Sequence, residues 1–192
     1  MLLTADGTVT TLLEACIGEP IATRTTRQAG PATLDLLLAA TGAWWHPNAG
    51  LLELARAERV IARRAILAGA RSSVAYVLAE SLVVPGRLPG ACAERLMHAG
   101  ASLGRLLLAD ALETRRELLQ IIGVRAGEAS DALGVAAGAT VARRTYRIVI
   151  RGRAVAAVTE WLPTGRLAAT ARGRVTGEVR GSWVGATSRI WL

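Results

Sequence analysis

The sequence predicts an α+β fold in which antiparallel hairpins alternate with short helices. Two pairs of alternating, strand-like segments are each joined by a short polar or glycine-containing turn, residues 59–68 with 74–84 and residues 141–150 with 154–162. Segments with helical spacing of apolar residues lie between the hairpins, at 90–98 and 102–110. Neighbouring antiparallel strands separated by helices favour an α+β domain over a parallel doubly wound sheet.

The remaining elements follow from local signals. Asp6 and Thr8 are candidate N-caps for a helix that Gly18 would end. Leucines at helical spacing follow Pro31, and Trp44 and Trp45 lie in a loop at 42–50. The other predicted segments are helices at 8–17 and 128–133 and strands at 20–28 and 112–122.

Composition excludes several kinds of chemistry. With 192 residues, 52% of them hydrophobic, the chain has the length and the apolar content of one folded domain. All 23 basic residues are arginine, so Schiff-base and P-loop lysines are absent from this sequence. Two histidines argue against a multi-histidine metal site. The composition therefore excludes lysine-dependent chemistry and disfavours a multi-histidine metal site.

The net charge of +8 is concentrated at one end of the chain. Residues 164–192 hold five arginines and one glutamate, which predicts a basic Gly/Arg-rich extension after a domain at 1–163. The domain shows no basic helix or aromatic stacking motif, so we predict no nucleic-acid partner. Charged residues interrupt every apolar stretch, and the N-terminus shows no secretory signal. We therefore predict a cytoplasmic protein without membrane contact.

Three charged residues lie in otherwise apolar rows of predicted strands. Because strands alternate faces, Arg64, Glu80 and Glu160 should point where small apolar side chains point. A buried charge needs a partner, so these groups either form an internal ion pair, such as Arg64 with Glu80, or contact a ligand. Arg63 lies in an equally apolar row, so the pattern alone does not settle which face is inward.

A helix start supplies a second candidate for anion binding. Leu103 and Gly104 open the helix at 102–110, where free backbone N–H groups suit a carboxylate. The alternative is an ordinary helix cap at Ser102.

Several motifs in chain order resemble the chorismate pyruvate-lyase family. They are DGTVT at 6–10, Arg27, Arg64, AESLVVP at 79–85, LGR at 103–105, LETRREL at 112–118, RTYR at 144–147 and TEWLP at 159–163. The resemblance covers roughly residues 3–163. It is greatest to the branch that makes hydroxybenzoate for secondary metabolism. Each motif is modest alone, but their order is fairly specific.

The resemblance implies a six-stranded antiparallel sheet flanked by helices, with the ligand beneath helical flaps. It implies conversion of chorismate to 4-hydroxybenzoate and pyruvate, with no metal and no organic cofactor, by a carbon–oxygen lyase that binds a small anionic substrate. By position, Arg64 corresponds to the arginine that binds the ring carboxylate and Glu160 to the carboxylate at the opposite end of the ring. Further substrate contacts would come from the backbone near Val9, Leu103 and Gly104 and from Arg27 and Glu80.

Departures from the family pattern leave two other functions open. Ala65 stands where one enzyme branch has an acidic residue, and the basic extension lies beyond the usual end of the family. A cyclase of natural-product biosynthesis could use the same cavity, as in antibiotic assembly. A ligand-binding module is the third hypothesis, because sensing domains of some transcription regulators share this fold and fold alone does not fix function.

Overall fold

A computed structural model describes residues 9–41, 46–98 and 102–169. The main elements of this part of the chain are six strands and five α-helices, together with short 3-10 helices and a further helical segment at 164–169. The strands are β1 (Ile21–Ala32), β2 (Val60–Gly69), β3 (Ala75–Val83), β4 (Arg115–Arg125), β5 (Thr140–Ile150) and β6 (Arg153–Leu162). The helices are α1 (Val9–Ile17), α2 (Leu34–Thr41), α3 (Gly90–Met97), α4 (Leu103–Ala109) and α5 (Ser130–Leu133).

The strands form one antiparallel sheet in the order β1-β2-β3-β6-β5-β4. The two predicted hairpins, β2–β3 and β5–β6, meet where β3 pairs with β6 at the centre of the sheet. The predicted α+β class and six-stranded antiparallel sheet are therefore confirmed.

Several element bounds differ from the sequence prediction. Strand β1 continues to Ala32, and β4 begins at Arg115 rather than at residue 112. A 3-10 helix, His46–Leu52, replaces most of the predicted loop. Residues 164–169 are helical. The predicted N-caps of the first helix, Asp6 and Thr8, the two loop tryptophans and the extension beyond residue 169 lie outside the described residues.

Both faces of the sheet are covered. On the face that we call the first face, Cys92 and Leu96 of α3 and Leu107 of α4 pack against Ile61 and Ile148. The opposite, second face packs against α2 and the 3-10 segment, which contribute Leu37 and Leu52 to a cluster with β-strand residues. Among the described residues, no helix combines the length and the apolar character needed to cross a bilayer. Because each face has an apolar cover, residues of both phases are buried in the four central strands β2, β3, β5 and β6.

One arginine fastens the 3-10 segment to the sheet. Arg87 donates from Nη1 to the carbonyl oxygens of Leu52, at 2.8 Å, and Ala154, at 2.5 Å. Its Nε donates to Glu58 Oε1 at 2.7 Å, and the Arg87 side chain is only 6% exposed. The two carbonyl contacts of Nη1 therefore connect the segment at 46–52 to β6, and this connection positions Asn48 over the second face.

We expect Glu58→Gln to lower the free energy of unfolding by about 2 kcal/mol near neutral pH. Hydrogen bonds from Arg87 and from the Ala55 amide hold the pKa of the Glu58 carboxyl at about 2. Since the unfolded pKa is about 4.3, this stabilisation is complete above that pH and is lost as the pH falls towards 2. Urea unfolding of wild type and variant should give a difference that shrinks by about half between pH 7 and pH 3. An equal difference at both pH values would contradict the assignment.

Candidate active site

The arginine of β2 that shares a face of the sheet with Glu160 is Arg63, whereas Arg64, the arginine that the sequence prediction chose, lies on the opposite face. Glu160 pairs across β3 with Ala79, and Ala79 pairs with Ala65 of β2. Directly paired residues share a face, so Glu160 lies on the face of Ala65, and Arg63, two residues from Ala65, shares it. Arg64 points to the second face.

A cavity lies on the first face, beneath the N-terminal ends of α1 and α4. Its charged lining comes from three strands: Arg63 of β2, Arg116 of β4 and Glu160 of β6. The sheet order places β6 between β2 and β4, so the carboxylate lies between the two arginines. The other lining residues are neutral: Val9, Thr10, Thr23, Ala65, Leu67, Ala79, Ser81, Ser102, Leu103, Gly104, Tyr146, Ile148 and Val158.

Glu160 is 2% exposed, and two residues of β5 hold its carboxylate. Arg144 donates from Nε to Oε2 at 2.5 Å, and the Tyr146 hydroxyl donates to Oε1 at 3.0 Å. The register explains the first contact, because Arg144 and Glu160 are directly paired across β5 and β6. The Arg144 guanidinium also lies over the Tyr146 ring, 5.3 Å from its centroid. Both carboxylate oxygens therefore have fixed directions before any ligand arrives.

Burial and the nearby Glu160 charge raise the pKa of the Tyr146 phenol well above its ordinary value. The phenol therefore keeps its proton throughout the working pH range and remains a hydrogen-bond donor to Glu160.

Arg63 is fixed by neutral acceptors from the neighbouring edge strand. Its Nε donates to Gln28 Oε1 at 2.8 Å, and Nη2 donates to Thr25 Oγ1 at 2.9 Å. Burial lowers the pKa of the Arg63 guanidinium, since a buried cation loses hydration. Arginine still stays protonated, so the cavity keeps a positive charge that favours an anionic ligand.

The cover of the cavity contains several predicted contact residues. Val9 lies at the start of α1, and Leu103 and Gly104 lie at the start of α4. Ser102 is at the N-cap position, but its side chain makes no capping hydrogen bond and lines the cavity. An ion pair between Arg105 and Glu14 joins α4 to α1. The two helices thus form a linked cover.

The described residues leave a volume of about 70 Å³ inside this cavity. An apolar cavity of roughly 150 Å³ accommodates benzene, so a single substituted ring already needs more room than the unliganded protein offers. A polycyclic ligand would need still more room than a single ring.

Three predicted contact residues lie away from this cavity. Arg64 and Glu80 form an ion pair on the second face, with Nε and Oε1 3.2 Å apart. Arg27 pairs with Arg64 in the sheet, so it lies on the face opposite Glu160. A bulge between Thr25 and Arg27 shifts the alternation of β1 and turns Arg27 to that face. Burial raises the pKa of Glu80 despite the opposing charge of Arg64.

Sequence reasoning also missed four residues of the site. The sequence offered Arg63 as the arginine on the other face of β2. Arg116, Arg144 and Tyr146 lie inside the matched motifs at 112–118 and 144–147. Only the register of β4, β5 and β6 shows that these three converge near Glu160.

These features define an α+β domain with an arginine-lined cavity on one face of its sheet. Its fold matches the effector domain of PhnF from Mycobacterium smegmatis, with a TM-score of 0.60 and 15% identity over 83% of this chain and 90% of that one. It also matches the ligand-binding domain of a GntR-family regulator from Bordetella bronchiseptica, with a TM-score of 0.53 and 18% identity over 74% and 84% of the two chains. At such identities the similarity shows the fold alone.

Sequence comparison finds similarity to named enzymes over about half of the chain. The chorismate pyruvate-lyases of Mycobacterium tuberculosis and Mycobacterium bovis are 36% identical to this chain over 104 residues. That match covers 53% of this chain, which spans about half the length of these curated relatives. No family model matches the sequence. The predicted resemblance to the chorismate pyruvate-lyase family is thereby confirmed.

Proposed function

We propose that the protein is a chorismate lyase that releases pyruvate and 4-hydroxybenzoate, for use in secondary metabolism. The observation that carries the proposal is the cavity in which Glu160 lies between Arg63 and Arg116. Chorismate has two carboxylates, and two arginines on one face of the sheet, from strands on either side of β6, complement a dianion. The 36% identity to chorismate pyruvate-lyases supports the same reaction.

The reaction needs little from the protein beyond positioning and one proton acceptor. A ring proton is removed, the bond between the ring carbon and the ether oxygen breaks, and the ether oxygen gains a proton. The released enolpyruvate tautomerises to pyruvate, and the ring becomes aromatic. Because aromatisation supplies much of the driving force, a held substrate and one carboxylate suffice without a cofactor.

We assign roles by position around the cavity. Arg63 binds the ring carboxylate, and Arg116 binds the carboxylate of the enolpyruvyl group. Glu160 accepts the ring proton, because hydrogen bonds from Arg144 and Tyr146 fix its orientation. Backbone amides near Val9, Leu103 and Gly104 add donors from the cover. In this assignment Arg63 takes the role that the family resemblance gave to Arg64.

The first test is to incubate the full chain with chorismate and quantify pyruvate with a coupled assay and the aromatic product by mass spectrometry. We expect equimolar pyruvate and 4-hydroxybenzoate at a rate well above spontaneous decay. A rate equal to that of chorismate alone would refute the proposal, and a different hydroxybenzoate isomer would refute the assigned regiochemistry.

A binding role without turnover is the second candidate, and the hydrogen bonding of Glu160 favours it. Both oxygens of this carboxylate already have donors, which also suits a purely structural group. Tight 4-hydroxybenzoate binding without pyruvate release would support this candidate. The cyclase hypothesis requires a polycyclic ligand, and the small cavity disfavours it even though Arg64 is engaged in an ion pair.

A further inference from the structure

A second cavity lies on the opposite, second face of the sheet. Its volume is about 440 Å³, within the range of small-molecule sites. Strands β3 to β6 and the 3-10 segment at 46–52 supply its lining: Asn48, Leu51, Glu80, Leu119, Gln120, Arg143, Thr145, Thr159 and Trp161. None of these residues lines the cavity around Glu160, so the two spaces are separated by the sheet.

Three neutral polar side chains in this cavity form an ordered chain of hydrogen bonds. The Thr159 hydroxyl donates to Asn48 Oδ1 at 3.0 Å. Thr145 Oγ1 lies 3.1 Å from Thr159 Oγ1 and must act as the donor, because Thr159 has already used its single proton. The Thr145 oxygen thus keeps its lone pairs, so it can accept a hydrogen bond from a ligand hydroxyl.

Arg143 supplies the cationic part of the cavity. Its guanidinium lies over the Trp161 ring, 5.4 Å from the centroid, and Nη2 donates to Gln120 Oε1 over a long 3.4 Å. Its Nε is buried and has no hydrogen-bond acceptor within the described part of the chain. A buried donor without an acceptor is costly, so a ligand oxygen at this position would be stabilising.

The charges around the cavity favour a single negative charge on the ligand. Arg64 compensates Glu80, with the two groups 3.2 Å apart, and Trp161 Nε1 donates to the other Glu80 oxygen at 3.3 Å. The positive charge of Arg143 is then left for the ligand. A dianion such as phosphate would face the Glu80 carboxylate with only one arginine to compensate it.

We propose that this second cavity binds a small hydroxylated monocarboxylate. Arg143 receives the carboxylate, the side chains of Asn48, Thr145 and Gln120 contact the hydroxyl groups, and Leu51 and Leu119 contact a carbon ring. The site is independent of the lyase proposal, since it shares no lining residue with the cavity around Glu160.

The test titrates the full chain with quinate, a cyclohexane ring that carries one carboxylate and several hydroxyl groups. Calorimetry gives the affinity, and the indole N–H resonance of Trp161, assigned with Trp161→Phe, reports the location. Two matched probes test the contribution of each part of the ligand: myo-inositol lacks the carboxylate, and cyclohexanecarboxylate lacks the hydroxyl groups. We expect quinate to bind at least about tenfold more tightly than either probe and to shift the Trp161 resonance.

Variants show on which face of the sheet quinate binds. Arg143→Gln should weaken quinate binding by about tenfold or more, whereas Arg63→Gln should change it by less than about twofold. If circular dichroism shows that Arg143→Gln does not fold, Thr145→Val decides, with an expected loss of about threefold to tenfold. Quinate binding no better than that of both probes, or binding that Arg63→Gln abolishes and the second-face variants spare, would overturn the proposal.

Discussion

Glu160→Gln should lower kcat for pyruvate release by about a thousandfold. The substitution keeps the size of the side chain and removes the proton acceptor, and positioned acid–base groups contribute about 10² to 10⁴ in rate. KM should change little, because the two arginines that receive the carboxylates remain in place. Steady-state kinetics with chorismate, monitored by pyruvate formation, measures both parameters.

The control for Glu160→Gln must also lose a glutamate–arginine ion pair, so that a loss of stability is common to both variants. Removing Glu160 leaves Arg144 buried without its carboxylate, which destabilises a protein by roughly 3 kcal/mol or more. Glu58→Gln also breaks a glutamate–arginine ion pair, that with Arg87, but lies outside the cavity, so its activity should match wild type. A Glu160→Gln variant that folds and turns over at more than about a tenth of the wild-type rate would disprove the proton-acceptor role.

A milder change probes the orientation of the same carboxylate. Tyr146→Phe removes only the donor to Glu160 Oε1, so the acceptor stays and loses one of its two fixing contacts. Its kcat should fall by about tenfold, which lies between wild type and Glu160→Gln. Loss of activity in Glu160→Gln with full activity in Tyr146→Phe would mean that Arg144 alone fixes the carboxylate.

The fold could be predicted from the sequence because its signals are local. Each hairpin consists of two alternating strands that are adjacent in the chain, and a short turn fixes their pairing. The pairing of β3 with β6 joins segments far apart in sequence, and no local pattern encodes it. The resemblance to a known family supplied the six-stranded sheet, which the residues alone left open.

The site could be predicted only in part, because alternation says which residues share a face and not which face encloses a ligand. Arg63 and Arg64 are adjacent, and both lie in apolar rows since helices cover both sides of the sheet. Assigning Glu160 and Arg63 to one face, and Arg64 to the other, required the register of three strands. The bulge in β1 adds a second shift that the sequence does not reveal, and it moves Arg27 as well.

This adjacency makes the two arginines of β2 a matched pair for experiment. Arg63→Gln should reduce kcat/KM for chorismate by about a hundredfold or more, mainly through a higher KM, because it removes the charged partner of the ring carboxylate. Arg64→Gln should leave kcat/KM within about threefold of wild type, since Arg64 faces the other side of the sheet and pairs with Glu80.

The affinity for 4-hydroxybenzoate gives the same comparison without turnover. Calorimetry should show binding that Arg63→Gln weakens by at least about tenfold and that Arg64→Gln preserves. Because Gln28 and Thr25 fix the Arg63 guanidinium, glutamine at position 63 cannot place a donor where that group ends. Lysine there would keep the charge and lose the two-pronged geometry, so Arg63→Lys should recover only part of the affinity. The opposite ranking, with Arg64→Gln as the damaging change, would mean that the ligand enters from the second face and that the lyase cavity has been assigned to the wrong side of the sheet.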